Sequence, residues 1–130
     1  KLGIEEKVKF LGALSRKEVR DTIRKCDVFV LPSIYETFGM VLIEALACGK
    51  PVIATRCGGP ECIVTEKNGY IVSKGNISKL ADAMSKMKRE AKNFSPEIIR
   101  KDCIERFGKD AVILKLNKLY SEVINNYVSK

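Results

Sequence analysis

The chain has 130 residues, of which 45% are apolar and 31% charged, and a formal net charge of +8. This is the composition of one soluble globular domain with a sizeable core. No apolar run reaches the length of a membrane span, no signal-peptide pattern opens the chain, and the lack of any histidine excludes a Ser-His or Cys-His nucleophile pair within it.

The opening KLGIEEKVKF has no methionine and reads as a cut inside a longer chain. VKFLG, residues 8–12, reads as a short strand. Ser15 is the expected N-cap of a helix carrying Val19, Ile23 and Cys26 on one face. DVFVLPS, 27–33, is an apolar run of strand length ended by a proline, as in strands buried on both faces of a parallel sheet. A loop, PSIYETFG, leads to a helix that starts near Gly39 and stops at Gly49, with Pro51 just beyond. PVIAT, 51–55, is the next strand; CGGP turns, and ECIV, 61–64, is a short helix. Asn68-Gly69 turns into a strand through Val72. Asn76 caps a helix over 77–91 with Leu80, Ala81, Met84 and Met87 facing the core. Ser95, Pro96 and Glu97 open a further helix. The last helix, 109–128, carries a stripe of Val112, Leu116, Leu119, Tyr120, Val123 and Tyr127. Strands alternating with helices predict an α/β fold: a Rossmann-like parallel sheet with helices on both faces.

The positive charge is dispersed, which suits a solvated basic surface, a phosphate-bearing ligand or an anionic membrane surface. Only nine aromatics occur and none form a basic–aromatic stripe, so nucleic acid is disfavoured as a partner. The five cysteines are odd in number and lack a CxxC pair. They point to reduced thiols of a cytoplasmic protein, with neither a disulfide framework nor a metal site.

Two acids raise the functional question. Glu36 stands in the loop after the 27–33 strand, and Glu44 interrupts the apolar run from Met40 to Cys48. In open α/β sheets the crevice beyond the strands' carboxyl ends receives ligands. A helix starting there offers free N–H groups to an anion, and Gly39 lets a ligand approach the backbone. Glu44 suits a vicinal diol such as a ribose, and Glu36 could take hydroxyls of a second group across a diphosphate. The competing reading makes Glu36 a solvated loop acid and puts Glu44 on the wet edge of its helix. Spacing alone leaves both open.

The ordered context carries more. DVFVLPSIYETFGMVLIEALACGKPVIATRCGGPECIVTEKNGYIV resembles the C-terminal domain of the retaining GT-B glycosyltransferases of family 4. The signature is Glu, seven residues, Glu, with Phe-Gly after the first acid; Glu36, Phe38, Gly39 and Glu44 match it, with VKFLG upstream. The resemblance runs from about residue 8 to 72 and loosely into the helical tail. It implies a nucleotide-sugar donor, UDP- or GDP-linked, and retention at the sugar carbon through an oxocarbenium-like transition state. Glu36 would act on the donor sugar as the catalytic residue. Glu44 would hold the ribose, and Thr37, Phe38, Gly39, Met40 and Val41 would contact sugar and diphosphate. The loop of Gly12, Ala13 and Leu14 would lie near the base. Gly58, Gly59 and Glu61 would border the sugar, although an acid such as Glu61 also suits a helix N-terminus. No metal and no other cofactor is implied.

By the same resemblance the chain is a partial nucleotide-sugar-binding domain, 1–130. The family's phosphate-binding Arg and Lys, its first strands and its acceptor domain are all missing from it, so the fragment alone is expected to be inactive. The acceptor, a sugar, glycan or lipid in polysaccharide, capsule, lipopolysaccharide or glycolipid synthesis, is open, as is peripheral membrane contact of the whole enzyme. The alternatives are a nucleotide-binding or scaffolding module without catalysis and a sugar-nucleotide epimerase of related fold. The family's sheet order, 3-2-1-4-5-6, makes VKFLG the third strand and leaves a bare edge at 27–33. Either VKFLG moves in beside that edge, the favoured outcome, or two chains join through it as a dimer.

Overall fold

The computed structural model describes residues 3–128. In chain order it comprises α1 (Arg16–Lys25), β1 (Phe29–Leu31), α2 (Met40–Ala47), β2 (Val52–Arg56), β3 (Gly69–Ser73), α3 (Ile77–Glu90), α4 (Pro96–Phe107) and α5 (Lys109–Val128), with 3₁₀ turns at Glu5–Lys7, Gly59–Cys62 and Ala91–Asn93. The three strands form one parallel sheet in the order β1-β2-β3, with Val30 opposite Ile53 and Ile53 opposite Tyr70.

Local chemistry sets the helix limits. Ser15 closes a capping box on α1: its hydroxyl accepts from Glu18 N–H while Glu18 Oε2 accepts from Ser15 N–H at 2.8 Å. Asn76 and Ser95 cap α3 and α4, and Pro96 opens α4. α2 ends in a Schellman motif at Gly49, φ +73°, whose N–H donates to Leu46 O at 2.8 Å while Lys50 N–H donates to Ala45 O at 3.0 Å.

Side chains alternate across β2, so its residues feed two cores. Val52 and Ala54 pack with Ile23, Leu42, Ala45, Leu46, Ile63 and Ile99 under α1, α2 and α4. Ile53 packs on the other face with Val72, Ala83 and Met87 under α3. Helices therefore cover both faces, as the pattern predicts.

Two expectations need correction. Residues 8–12 form no strand; they run unpaired, with Phe10 93% exposed. Gly12, at φ +66°, turns the chain at their end. A strand exists only through a ladder, and a short apolar segment without one cannot offset its ordering entropy. The favoured closure is thus not seen: β1 has β2 on one side and no strand on the other among the described residues. On α3 the buried positions are Ala83 and Met87, with Leu80 packed at their margin, whereas Ala81 and Met84 face out. The face is narrower than the apolar spacing suggested because α3 meets only this short sheet. Glu44, whose burial the spacing left open, is exposed. It sits on the exposed edge of α2, between the fully buried Leu42, Ala45 and Leu46.

Candidate functional site

The crevice beyond the carboxyl ends of β1 and β2 is built by two loops that cross. The first, 32–39, leaves β1 and delivers Glu36, Thr37, Phe38 and Gly39 to the start of α2. The second leaves β2 and enters the 3₁₀ turn Gly59–Cys62. They meet backbone to backbone: Glu36 and Gly58 form a parallel bridge, and Gly59 N–H donates to Glu36 O at 2.8 Å. A Cβ on Gly59 would lie 2.3 Å from Phe38 Cα, so only glycine allows this approach. Gly58 is held at φ +126°, where a Cβ would also press on Glu36 O at 2.9 Å. Thr55, buried near the end of β2, donates its hydroxyl to Ser33 O and ties the first loop to the sheet.

Gly39, buried and at φ +98°, is the N-cap of α2. A Cβ there would lie 3.6 Å from Glu36 Cγ, so the Glu36 side chain runs along the start of the helix. As the first two helical residues, Met40 and Val41 have no intrahelical acceptor for their N–H groups. Glu36 is half-buried and Glu44 exposed, and among the described residues neither carboxylate has a hydrogen-bond or ion-pair partner.

Glu44 lines a cavity of about 580 Å³ between α1 and α2, together with Leu14, Met40, Ala47 and Cys48. The structure thus brings Leu14, far away in the chain, beside Met40 and Glu44, which lie one turn apart on α2. It brings Glu36, Phe38, Gly39, Gly58 and Gly59 together at the loop crossing, and Gly39-Met40 joins the two groups. Glu36 does not line the Glu44 cavity. Gly12 is exposed with open space around it, and Thr37 and Val41 are exposed. Glu61 turns its carboxylate onto its own turn, accepting from Gly58 N–H at 3.1 and 3.2 Å. Burial raises its pKa, but these backbone bonds and Arg56 outweigh that and hold it below the ordinary carboxylate range. Glu61 thus caps its own 3₁₀ turn.

Sequence reasoning missed several residues. Arg16, Arg20, Arg24 and Arg100 also line the Glu44 cavity. The first three recur every fourth residue on α1, a spacing that puts them on one face. Phe107 and Phe38 form a T-shaped pair, ring centroids 6.2 Å apart. No local pattern foretells that contact, since the two residues are distant in the chain.

The site is thus a parallel α/β sheet whose crevice holds a glycine-led helix start between two unpartnered carboxylates. The chain belongs to the glycosyl transferases group 1 family, whose model matches residues 1–109. It is 35% identical to N-acetyl-alpha-D-glucosaminyl L-malate synthase of Bacillus anthracis over 129 residues, which is 96% of this chain and 33% of that protein. The chain thus spans about one third of that relative's length. Among solved structures it resembles sucrose-phosphate synthase from Thermosynechococcus elongatus (TM-score 0.81, 28% identity, 95% of this chain and 32% of that one). It also resembles Anabaena HepE in complex with UDP (TM-score 0.77, 27% identity, 95% of this chain and 34% of that one). The fold is that of the GT-B glycosyltransferases. No helix among the described residues is long and apolar enough to cross a membrane.

Proposed function

We propose that residues 1–130 are part of the donor-binding, C-terminal domain of a retaining glycosyltransferase that takes a UDP- or GDP-sugar and passes the sugar to a glycan or lipid acceptor. The observation that carries this is the pair of unpartnered carboxylates, Glu36 and Glu44, on either side of the free N–H groups that open α2. An exposed carboxylate beside a cavity accepts two hydrogen bonds from a diol at little desolvation cost. Glu44 therefore holds the ribose, the diphosphate lies on the helix start, and Glu36 faces the sugar. The complex of HepE with UDP supports a nucleotide donor of this type. Retention follows the family resemblance, with Glu36 stabilising positive charge as it develops on the sugar ring. The acceptor-binding part and the cationic phosphate ligands belong to the rest of the full-length enzyme.

The test uses this chain and the full-length enzyme in parallel. Titration of UDP and GDP followed by NMR should shift amides over 38–44 in the wild type and fail to do so in Glu44→Ala. In the full-length enzyme Glu44→Gln should weaken donor binding about tenfold, the loss of charged hydrogen bonds. Glu36→Gln should lower kcat about 10²-fold and leave nucleotide affinity nearly intact. The opposite division of effects would refute the two assignments.

A further inference from the structure

The 3₁₀ turn that holds Glu36 in place is itself gripped by a side chain from α4. Arg106 reaches the carbonyl end of Gly59–Cys62: Nη2 donates to Cys62 O at 2.6 Å and Nη1 to Ile63 O at 3.0 Å. Nη1 also donates to Asp102 Oδ2 at 3.0 Å, one turn earlier on the same helix. The guanidinium lies 4.7 Å from the centre of the Phe107 ring, which meets the Phe38 ring in a T-shaped contact. Lys115 Nζ donates to Arg106 O at 3.1 Å and fixes the backbone beneath it.

This is not an ordinary surface ion pair. The Arg106 and Asp102 side chains are 28% and 25% exposed, against 76% and 63% for Lys101 and Glu105 on the same helix. Asp102 alone would be satisfied by any cation, whereas two successive carbonyls and a carboxylate require a planar fork. The carbonyls belong to the turn whose other end donates Gly59 N–H to Glu36 O. A hydrogen-bonded path therefore runs from Asp102 through Arg106, Cys62 and Gly59 to the Glu36 backbone. The contact from Phe107 to Phe38 reaches the same loop from the same end of α4.

We propose that Arg106 is a positioning residue for Glu36: it fixes the Gly59–Cys62 turn against α4 and so sets where the Glu36 carboxylate stands over the donor sugar. The inference rests on Glu36 facing the sugar. It makes no use of the nucleotide side of the site, where Glu44 and Leu14 line a cavity that Arg106 does not line. Arg106→Lys keeps the charge for Asp102 but cannot bridge both carbonyls, so the turn loosens without an unpaired acid being left behind.

The experiment compares full-length wild type with Arg106→Lys and Arg106→Met, using UDP, GDP, UDP-glucose and GDP-mannose as probes. The expected result is unchanged stoichiometry and affinity for the nucleoside diphosphate, kcat about tenfold lower, as for a small misplacement of a reacting group, and the greater loss in Arg106→Met. Amide hydrogen exchange should quicken about tenfold at 36–39 and 58–63 and stay unchanged in β2. Wild-type kcat with wild-type exchange in both variants overturns the proposal. So does a lowered kcat without faster exchange in the two loops, or a proportional fall in kcat and binding stoichiometry with faster exchange throughout, which is loss of stability alone. If both variants fail to fold, Asp102→Asn, which slackens the guanidinium but spares its carbonyl bonds, should give about a twofold change in the same direction; no change overturns the proposal. If the wild type binds and turns over none of the four probes, the donor reading has failed, and the exchange measurement still decides whether Arg106 governs the Glu36 loop.

Discussion

The shortest helix of this molecule and its longest one are built on opposite terms. α2 has eight residues, and Leu42, Ala45 and Leu46 are fully buried between the sheet and α4. α5 has twenty, and each of its large apolar side chains from Val112, 42% exposed, to Tyr127, 83% exposed, meets solvent. α2 carries the candidate site at its first turn, so its placement matters to tenths of an ångström. α5 is joined to the rest through Lys115 and through its contact with α4. Helical periodicity states which residues share a face. It does not state what that face meets.

The sharpest way to break the comparison is to substitute in each helix and at the loop crossing that precedes α2. Leu46→Ala should destabilise by about 3 kcal/mol in chemical denaturation, the transfer and cavity terms of a fully enclosed leucine. Gly59→Ala should come next, at about 2 kcal/mol, because its Cβ meets Phe38 backbone and one loop must move. Its signature is local: NMR shift changes concentrated at 36–39 and 58–61. Leu119→Lys on α5 should alter stability by no more than about 0.5 kcal/mol, since the side chain is 53% exposed. A cost for Leu119→Lys comparable to that of Leu46→Ala would mean that the α5 face is covered in the folded chain, and the contrast would collapse.

Much of the fold is written in local signals. The capping box of Ser15, the Asn76 and Ser95 caps, the Gly49 stop and the Asn68-Gly69 turn each rest on a few neighbouring residues, and each forms where its chemistry places it. The strand expected over 8–12 fails because pairing is a property of two segments, and its apolar pattern carries no information about the second. The Glu36–Glu44 motif is visible as spacing, whereas the exposure of its second acid is not. An apolar run reads as enclosed, while a two-turn helix has an inner side, taken by Leu42, Ala45 and Leu46, and an outer one, on which Glu44 falls with Met40 and Val41. The Gly59–Phe38 approach and the Arg106 grip join residues 21 and more apart and have no local signature.

The crossing of the two loops also bears on the thermodynamics of binding. The Glu36–Gly58 bridge continues the β1–β2 pairing past the ends of the strands, so the floor of the crevice is held as sheet is held. Its backbone has already lost its conformational entropy on folding, at about 1–2 kcal/mol per residue. A guest that settles there has side chains to order, such as Met40 at 59% exposed, and a main chain that is already fixed.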